Sequence, residues 1–372
     1  VIGLHDEVLA RARLAAQTNA PFAERWVSFW SNHFTVAATK GSSAPLAGPF
    51  EREAIRPTAF DSFEAMLVRS TSHPGMLTYL DQVQSVGPRS PAALRAAGKD
   101  RIPGLNENLA REILELHTVG LDAHYGQNDV TEFAKALTGW SVGGPRDDPG
   151  QIGRFAYHAA SHEPGQRTVL GKIYQDEGAD QARRILHDLA RHPTTGRHVA
   201  RKLAVHFVSD DPPETLVEKL AASFTHSGGD LAVVATSLIE ADEAWEPQPG
   251  KFKTPYEFLV SCWRGMDEAP SAASQIMQPA RAMGQDPFRA PSPKGWDDTA
   301  AAWATPSNIL QRLTWSEDFS TGTAGGPQEP LAIAQACLGA RLSRETAAAI
   351  ASAESRKEAL TLLFMCPEFQ RR

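Results

Sequence analysis

Apolar residues return every third or fourth position along almost the whole chain, the spacing that lines one face of a helix. No alternation of apolar and polar residues runs beyond a few positions, so extended sheet has no template here. Residues 21–36 place Trp26, Phe29, Trp30 and Phe34 on one stripe. Residues 59–82 read as a helix interrupted near Pro74, and 106–119 and 127–139 as a pair split by Gly120 to Gly126. Further helices follow at 178–191, 193–208, 213–226 and 229–241, punctuated by Pro193, Pro212–Pro213 and Gly228–Gly229. Helical spacing resumes at 254–267, 271–284, 298–313, 328–338 and 342–364. Residues 141–173 carry GGPRDDPG and SHEPGQ and read as coil with short strands. The expected fold is all-α, a large irregular multi-helix array with a coil-rich insert around 141–173.

With 372 residues, 42% of them hydrophobic, the chain can bury a core without disulfide or metal staples. A main helical domain is expected over 1–317 and a linker over 318–327 (DFSTGTAGGP). A C-terminal helical extension, 328–372, is expected to pack on the main domain. A net charge of −7 with no basic stripe argues against nucleic acid as a partner. No apolar run reaches the roughly 18 residues of a membrane span. Cys262, Cys337 and Cys366 are isolated, which supports neither a disulfide framework nor a thiolate zinc site. The chain starts at Val1, so any targeting segment is expected to lie outside this sequence. A GxSxG elbow, a phosphate-binding loop, a dinucleotide fingerprint and an HExxH motif are all missing.

Polar chemistry concentrates in residues 104–121, GLNENLAREILELHTVGL. On a regular helix Asn108, Glu112 and Glu115 fall within about 60° of one another, with Leu109, Ile113 and Leu116 on a neighbouring face. Such a pair of carboxylates has two readings. One is a solvated face, with Asn106 or Asn108 capping the helix and Arg111 reaching Glu107 and Glu115. The other is an acid/base or metal-binding pair. His117 points away from that face and joins it only if the helix ends and the chain turns, which Gly120 permits. Asn32 and His33 sit inside the aromatic stripe, where a hydrogen-bonded core role is the ordinary reading. His158, His162 and Glu163 lie in coil, and His192, His198 and His206 along a helix. Trp140 and Trp296 either stack on a flat ligand or plug a core edge.

A series of strings falls in one order along the chain: FWSNHF (29–34), HPGMLTYLD (73–81), GLNENLAREILELHTVGLDAHYGQNDV (104–130) and ALTGW (136–140). It continues with SHEPGQRTVLG (161–171), RHPTTGRHVARKLAVHFVSDDPP (191–213), KFKTPYEFLV (251–260) and MGQDPFRAPSPKGWDD (283–298). In these strings the sequence resembles the bacterial family catalogued as domain of unknown function 1800, over residues 20–315 and more weakly at LLFMCPEFQ (362–370). The resemblance implies a mostly helical fold, a bacterial source and export to the periplasm or beyond, with a cytoplasmic location still open. It also implies a secreted sulfatase-like or phosphatase-like neighbour as a partner. Family members usually begin with a further helical segment bearing an Arg-Phe-Gly-type motif, which has no counterpart here and is expected to be missing. Gln82, Glu163 and Arg167 stand where the family usually has Asn, Asp and Lys, the last two keeping charge but changing reach. The family's polar motifs fall on Asn32, His33, Asp81, Asn106, Glu107, Asn108, Arg111, Glu112, Glu115, His117 and His162.

The leading expectation is a hydrolase-like enzyme acting on a polymer or glycoconjugate. Glu112 and Glu115 would be its acid/base or metal-binding carboxylates, and His117 or His33 its proton carrier. Asn106, Asn108, Arg111, Asp81 and His162 would hold substrate, with Trp140 or Trp296 as a stacking wall. A divalent metal ion on Glu112 and Glu115 is the cofactor candidate. The alternative is a non-catalytic secreted binding or assembly partner whose polar motif ties helices together. A metal-dependent oxidoreductase ranks last, because Glu115 and His117 lack the Glu-x-x-His spacing of helical di-iron sites.

Overall fold

The computed structural model describes residues 3–97, 104–121, 123–245, 250–323 and 325–372. Pro21, Pro74, Pro91, Pro193, Pro255 and Pro330 each open a helix, where a missing N–H costs nothing. Ser62, Ser343 and Ser355 accept a backbone N–H from the first turn of the helix that follows them. Thr254 and Glu257 form a reciprocal capping box on Pro255–Gly265. The result is a mostly α fold, as the spacing predicts.

Histidines serve as helix boundaries twice. His73 separates Phe63–Ser72 from Pro74–Tyr79, its Nδ1 accepting the Gly75 N–H at 3.0 Å. His192 caps Pro193–Phe207 in the same way through the Thr194 N–H. Among the described residues, the helices Leu4–Gln17 and Pro91–Ala96 and the turns from Ala44 to Thr58 escape the sequence reading. The coil-rich insert holds two antiparallel ribbons. Trp140–Val142 pairs with Phe155–Tyr157, and Arg167–Val169 with Lys172–Tyr174.

Apolar side chains gather in two clusters. The first runs from Trp26, Trp30 and Phe34 through Phe63, Phe133 and Leu203. The second joins Val8 and Ala12 of Leu4–Gln17 to Phe258, Ile276, Phe319, Leu360 and Phe364. The start of the chain therefore packs with its end. The linker expected at 318–327 is helical through Thr323, the last residue of Pro306–Thr323. Its Phe319 ring lies 4.8 Å from Trp263 and 4.7 Å from Trp315, and this burial overrides the turn-like composition around it. Among the described residues, no helix is long and apolar enough to cross a membrane.

Charge is buried between the clusters. Lys251 is fully buried and bonds Asp210 and the Asp298 carbonyl. His206 bonds the Asp298 carboxylate at 2.8 Å, and Arg372 faces Glu257 at 2.8 Å. Such groups are tolerable away from water only when paired.

Candidate functional site

Tyr79 ends a short helix and Asp81 follows in a left-handed conformation (φ 58°), which turns the chain back toward residue 106. Lys40 ties down this turn, donating to the Tyr79 carbonyl at 2.8 Å and to Asp81 Oδ2 at 2.6 Å. Asn106 reaches it from the other side: its Nδ2 donates to the Asp81 carbonyl at 3.4 Å. Its Oδ1 accepts the Asn108 N–H at 2.9 Å, so Asn106 shapes the turn that enters the helix.

Asn108–Glu112 is α-helical, but Ile113–His117 widens into a π-helical turn. Such turns cost regular hydrogen bonding and recur at functional sites. Thr118 Oγ1 closes this one on the Ile113 carbonyl at 2.7 Å, and the Gly120 N–H on Leu114 at 2.9 Å. Gly120 has φ 72°, and a Cβ there would lie 2.6 Å from His198 Nδ1, so both backbone and space demand glycine.

The carboxylates on this helix have three different environments. Glu107 accepts from Thr131 at 2.6 Å and Gln127 at 2.7 Å, and meets Arg111 at 3.3 Å. Those bonds, Thr131's first, hold its carboxyl below the usual range. Glu115 lies 3.6 Å from Arg111. Glu112 is half-buried, and burial pushes its carboxyl up, with the charge of Glu115 adding and Arg111 opposing. Two phenols flank the pair. Burial, then Glu112, pushes Tyr79 up to about 12; burial, then Glu115, pushes Tyr125 up to about 12. Asp81, Asn106, Arg111, Glu112 and Glu115 thus share one partly open polar face, and Asn108 is exposed at the start of its helix.

The expected histidines do not join them. His117 and His33 are each 1% exposed, with rings 6.0 Å apart and packed on Phe34. His33 Nε2 donates to the His117 carbonyl at 3.0 Å. Burial, and then the positive charge of Lys202, pushes His117 down to about 3 and His33 well below its ordinary value. No hydrogen bond, ion pair or ring contact among the described residues links either one to Glu112 or Glu115. A proton carrier must reach its partner, so the assignment of His117 and His33 to that role is corrected: both are neutral core groups. His162 is corrected too. It is buried in the insert, with Nδ1 on the Thr138 carbonyl at 2.9 Å and Nε2 3.6 Å from Asp176. Trp140 is 1% exposed and T-packed on Phe155, so it offers no face for stacking. Glu163 and Arg167 are buried in the same region, Glu163 accepting Arg89 and Arg167 donating to the Glu163 and Pro164 carbonyls.

Among the described residues, no group of three or more His, Cys, Asp or Glu side chains is arranged to hold a metal ion. Glu112 and Glu115 by themselves give a cation two carboxylates, fewer than an all-protein site needs. Lys40, Tyr79, Tyr125, Gln127 and Thr131 belong to the face but escaped the sequence reading. Tyr79 and Tyr125 stand inside HPGMLTYLD and the DAHYGQNDV end of the long string, so position along these strings was their only signal.

A second polar zone forms where FWSNHF, KFKTPYEFLV and PKGWDD meet. Asn32 clamps the last of these, its Nδ2 donating to the Trp296 carbonyl at 2.9 Å and its Oδ1 accepting the Trp296 N–H at 2.7 Å. A cavity of about 90 Å³ lies beside the clamp, lined in part by Asn32, Trp296, His206 and Gln285.

One family model, described as a protein of unknown function (DUF1800), matches residues 3–371. The match extends past the motif-bearing stretch to the helices at both ends. No curated protein and no solved structure matches the chain.

Proposed function

The chain belongs to this family of unknown function, a membership that names no activity, and from its carboxylate pair we propose a hydrolase-like enzyme acting on a polymer or glycoconjugate. The observation that supports this is the divided environment of Glu112 and Glu115. Burial, and then the like charge of Glu115, raises the Glu112 carboxyl against the opposing pull of Arg111, while Glu115 itself lies 3.6 Å from Arg111. Two neighbouring carboxyls in unequal surroundings can supply an acid and a base from one helix. In this reading Glu112 gives its proton to the leaving oxygen and Glu115 draws a proton from the attacking water. Lys40, Asp81, Asn106 and Arg111 border the pair on a face that is not sealed, which suits an extended chain better than an enclosed small molecule.

Export, and a secreted sulfatase-like or phosphatase-like partner, belong to the same proposal. Release of reducing ends from a panel of polysaccharides and glycopeptides tests the activity. The expected outcome is turnover by the parent and a loss of about 100-fold or more in Glu112→Gln and Glu115→Gln at unchanged thermal stability. Inactivity of the parent on every member would favour the second reading, an assembly protein. Its support is Glu107, whose bonds to Thr131, Gln127 and Arg111 tie Asn108–Glu112 to Gln127–Leu137.

A further inference from the structure

A cavity of about 220 Å³ lies where Leu4–Gln17, Pro21–His33 and Pro255–Gly265 meet the end of the chain. One water needs only about 10–15 Å³ measured this way, so the space holds a small organic molecule. Ala15, Pro21 and Val260 supply apolar wall. The polar lining is unbalanced. Arg372, whose side chain is 8% exposed, uses Nη1 on the His206 carbonyl at 2.8 Å and turns Nε to Glu257, but its Nη2 has no partner. Arg25 has a partly exposed stem, yet its Nε and Nη2 are buried without a hydrogen bond, the nearest carboxylate oxygen lying 4.0 Å from Nε. The Tyr256 hydroxyl is also buried and unpartnered. The Lys253 ammonium sits 3.9 Å over the Phe369 ring.

The acceptors in this lining are already committed. Glu24 receives both Arg56 guanidinium nitrogens, at 3.0 and 2.9 Å. Glu257 accepts the Thr254 N–H through Oε2 and faces Arg372 through Oε1. Buried guanidinium donors left open are costly, and among the described residues neither Glu24 nor Glu257 hydrogen-bonds the open nitrogens of Arg25 and Arg372. Guanidinium groups match tetrahedral oxyanions closely, and an apolar wall beside them takes a short organic substituent.

We propose that this cavity binds a small phosphate or sulfate monoester, its oxyanion held by Arg25, Arg372 and the Tyr256 hydroxyl and its organic part laid on Pro21 and Val260. Lys253 adds positive charge within the lining. Burial already presses Lys253 down to about 8, and burial together with the neighbouring Arg372 presses Arg25 down to about 9, a strain that a bound anion relieves. The site is separate from Glu112 and Glu115 and does not depend on their role.

Calorimetric titration of the full chain with phenyl phosphate, phenyl sulfate and the neutral control benzyl alcohol tests this, with thermal melts alongside. Expected are saturable binding and a raised Tm with one or both esters, none with benzyl alcohol, and weakening as salt is added. The ester that binds more tightly identifies the natural anion. Arg25→Gln should weaken binding at least tenfold, and Tyr256→Phe, which removes one hydroxyl and keeps the ring, should weaken it several-fold. Glu112→Gln should bind as the parent does. Absence of saturable binding by either ester overturns the proposal. So does equal affinity in the parent and in folded Tyr256→Phe and Arg25→Gln.

Discussion

His33 and His117 show what a polar residue does when packing decides for it. Each is packed against aromatic rings, and the titratable groups that act on them, Lys202 and His198 for both and His117 for His33, all oppose protonation. Both are neutral when folded and gain a proton on unfolding below their ordinary value of 6.5. Their contribution to stability is therefore whole above pH 6.5 and is lost as pH falls toward the folded value, about 3 for His117. Each histidine should lower stability by about 1.4 kcal/mol per pH unit within that window. Urea unfolding at pH 7.5, 6 and 5 reads this slope. His117→Asn should be less stable at pH 7.5 but fall off more gently, by about one histidine's share, and an identical slope would place the proton uptake elsewhere. At this scale the sequence shows chemistry better than location. The Glu112/Glu115 pair and its Arg111 partner are legible because three- and four-residue spacing is local. The burial of His117 is not, because it depends on Pro193–Phe207, a helix distant in sequence.

Helices were legible where short-range chemistry sets their ends, as at Pro193 and Pro255, and illegible where a turn changes pitch. Nothing in ILELH announces that Ile113–His117 departs from α geometry; the departure is fixed by closure on Thr118 and Gly120 and by the approach of His198. The PKGWDD loop is a similar case, since its conformation is held by Asn32 on a helix at the other end of the chain. Gly295 makes that clamp possible. Its φ is 85°, and a Cβ would lie 2.5 Å from Asn32 Oδ1 and 2.6 Å from the Asn32 carbonyl. Gly295→Ala should cost about 2–3 kcal/mol through backbone strain and the loss of one or both clamp bonds. Asn32→Ala should cost somewhat less, about 2 kcal/mol, because the loop keeps its glycine. Both should speed tryptic cleavage after the exposed Lys294, measured under native conditions. Parent-like cleavage in both variants would mean the loop is held by something other than this clamp.

For the whole molecule, composition and packing disagree over 318–327, because STGTAGG reads like a flexible joint while its neighbour Phe319 behaves as core. Ending the chain at residue 317 tests which of the two governs. The cut removes Phe319, Ile333, Leu360, Leu363, Phe364 and Phe369 from the second cluster. It also strips Gln370 from Arg312, a buried cation that bonds it at 2.7 Å, and Arg372 from Glu257. At about 1.5–3 kcal/mol per buried large apolar side chain, those six represent roughly 9–18 kcal/mol, as much as a whole domain's net stability. Val8, Ala12, Phe258 and Leu259 would keep only the part of the cluster that comes before residue 318, such as Ile276 and Met283, and lose its opposite wall. The 1–317 chain should therefore lose the second cluster altogether, giving strong binding of a hydrophobic dye and no cooperative unfolding of Pro255–Gly265 by hydrogen exchange. The first cluster, whose members all lie between Trp26 and Ala241, should keep its protection. Retention of parent-like protection over 255–265 in the shortened chain would make 328–372 an appendage; loss confined to that cluster would make the chain's first and last helices one folding unit.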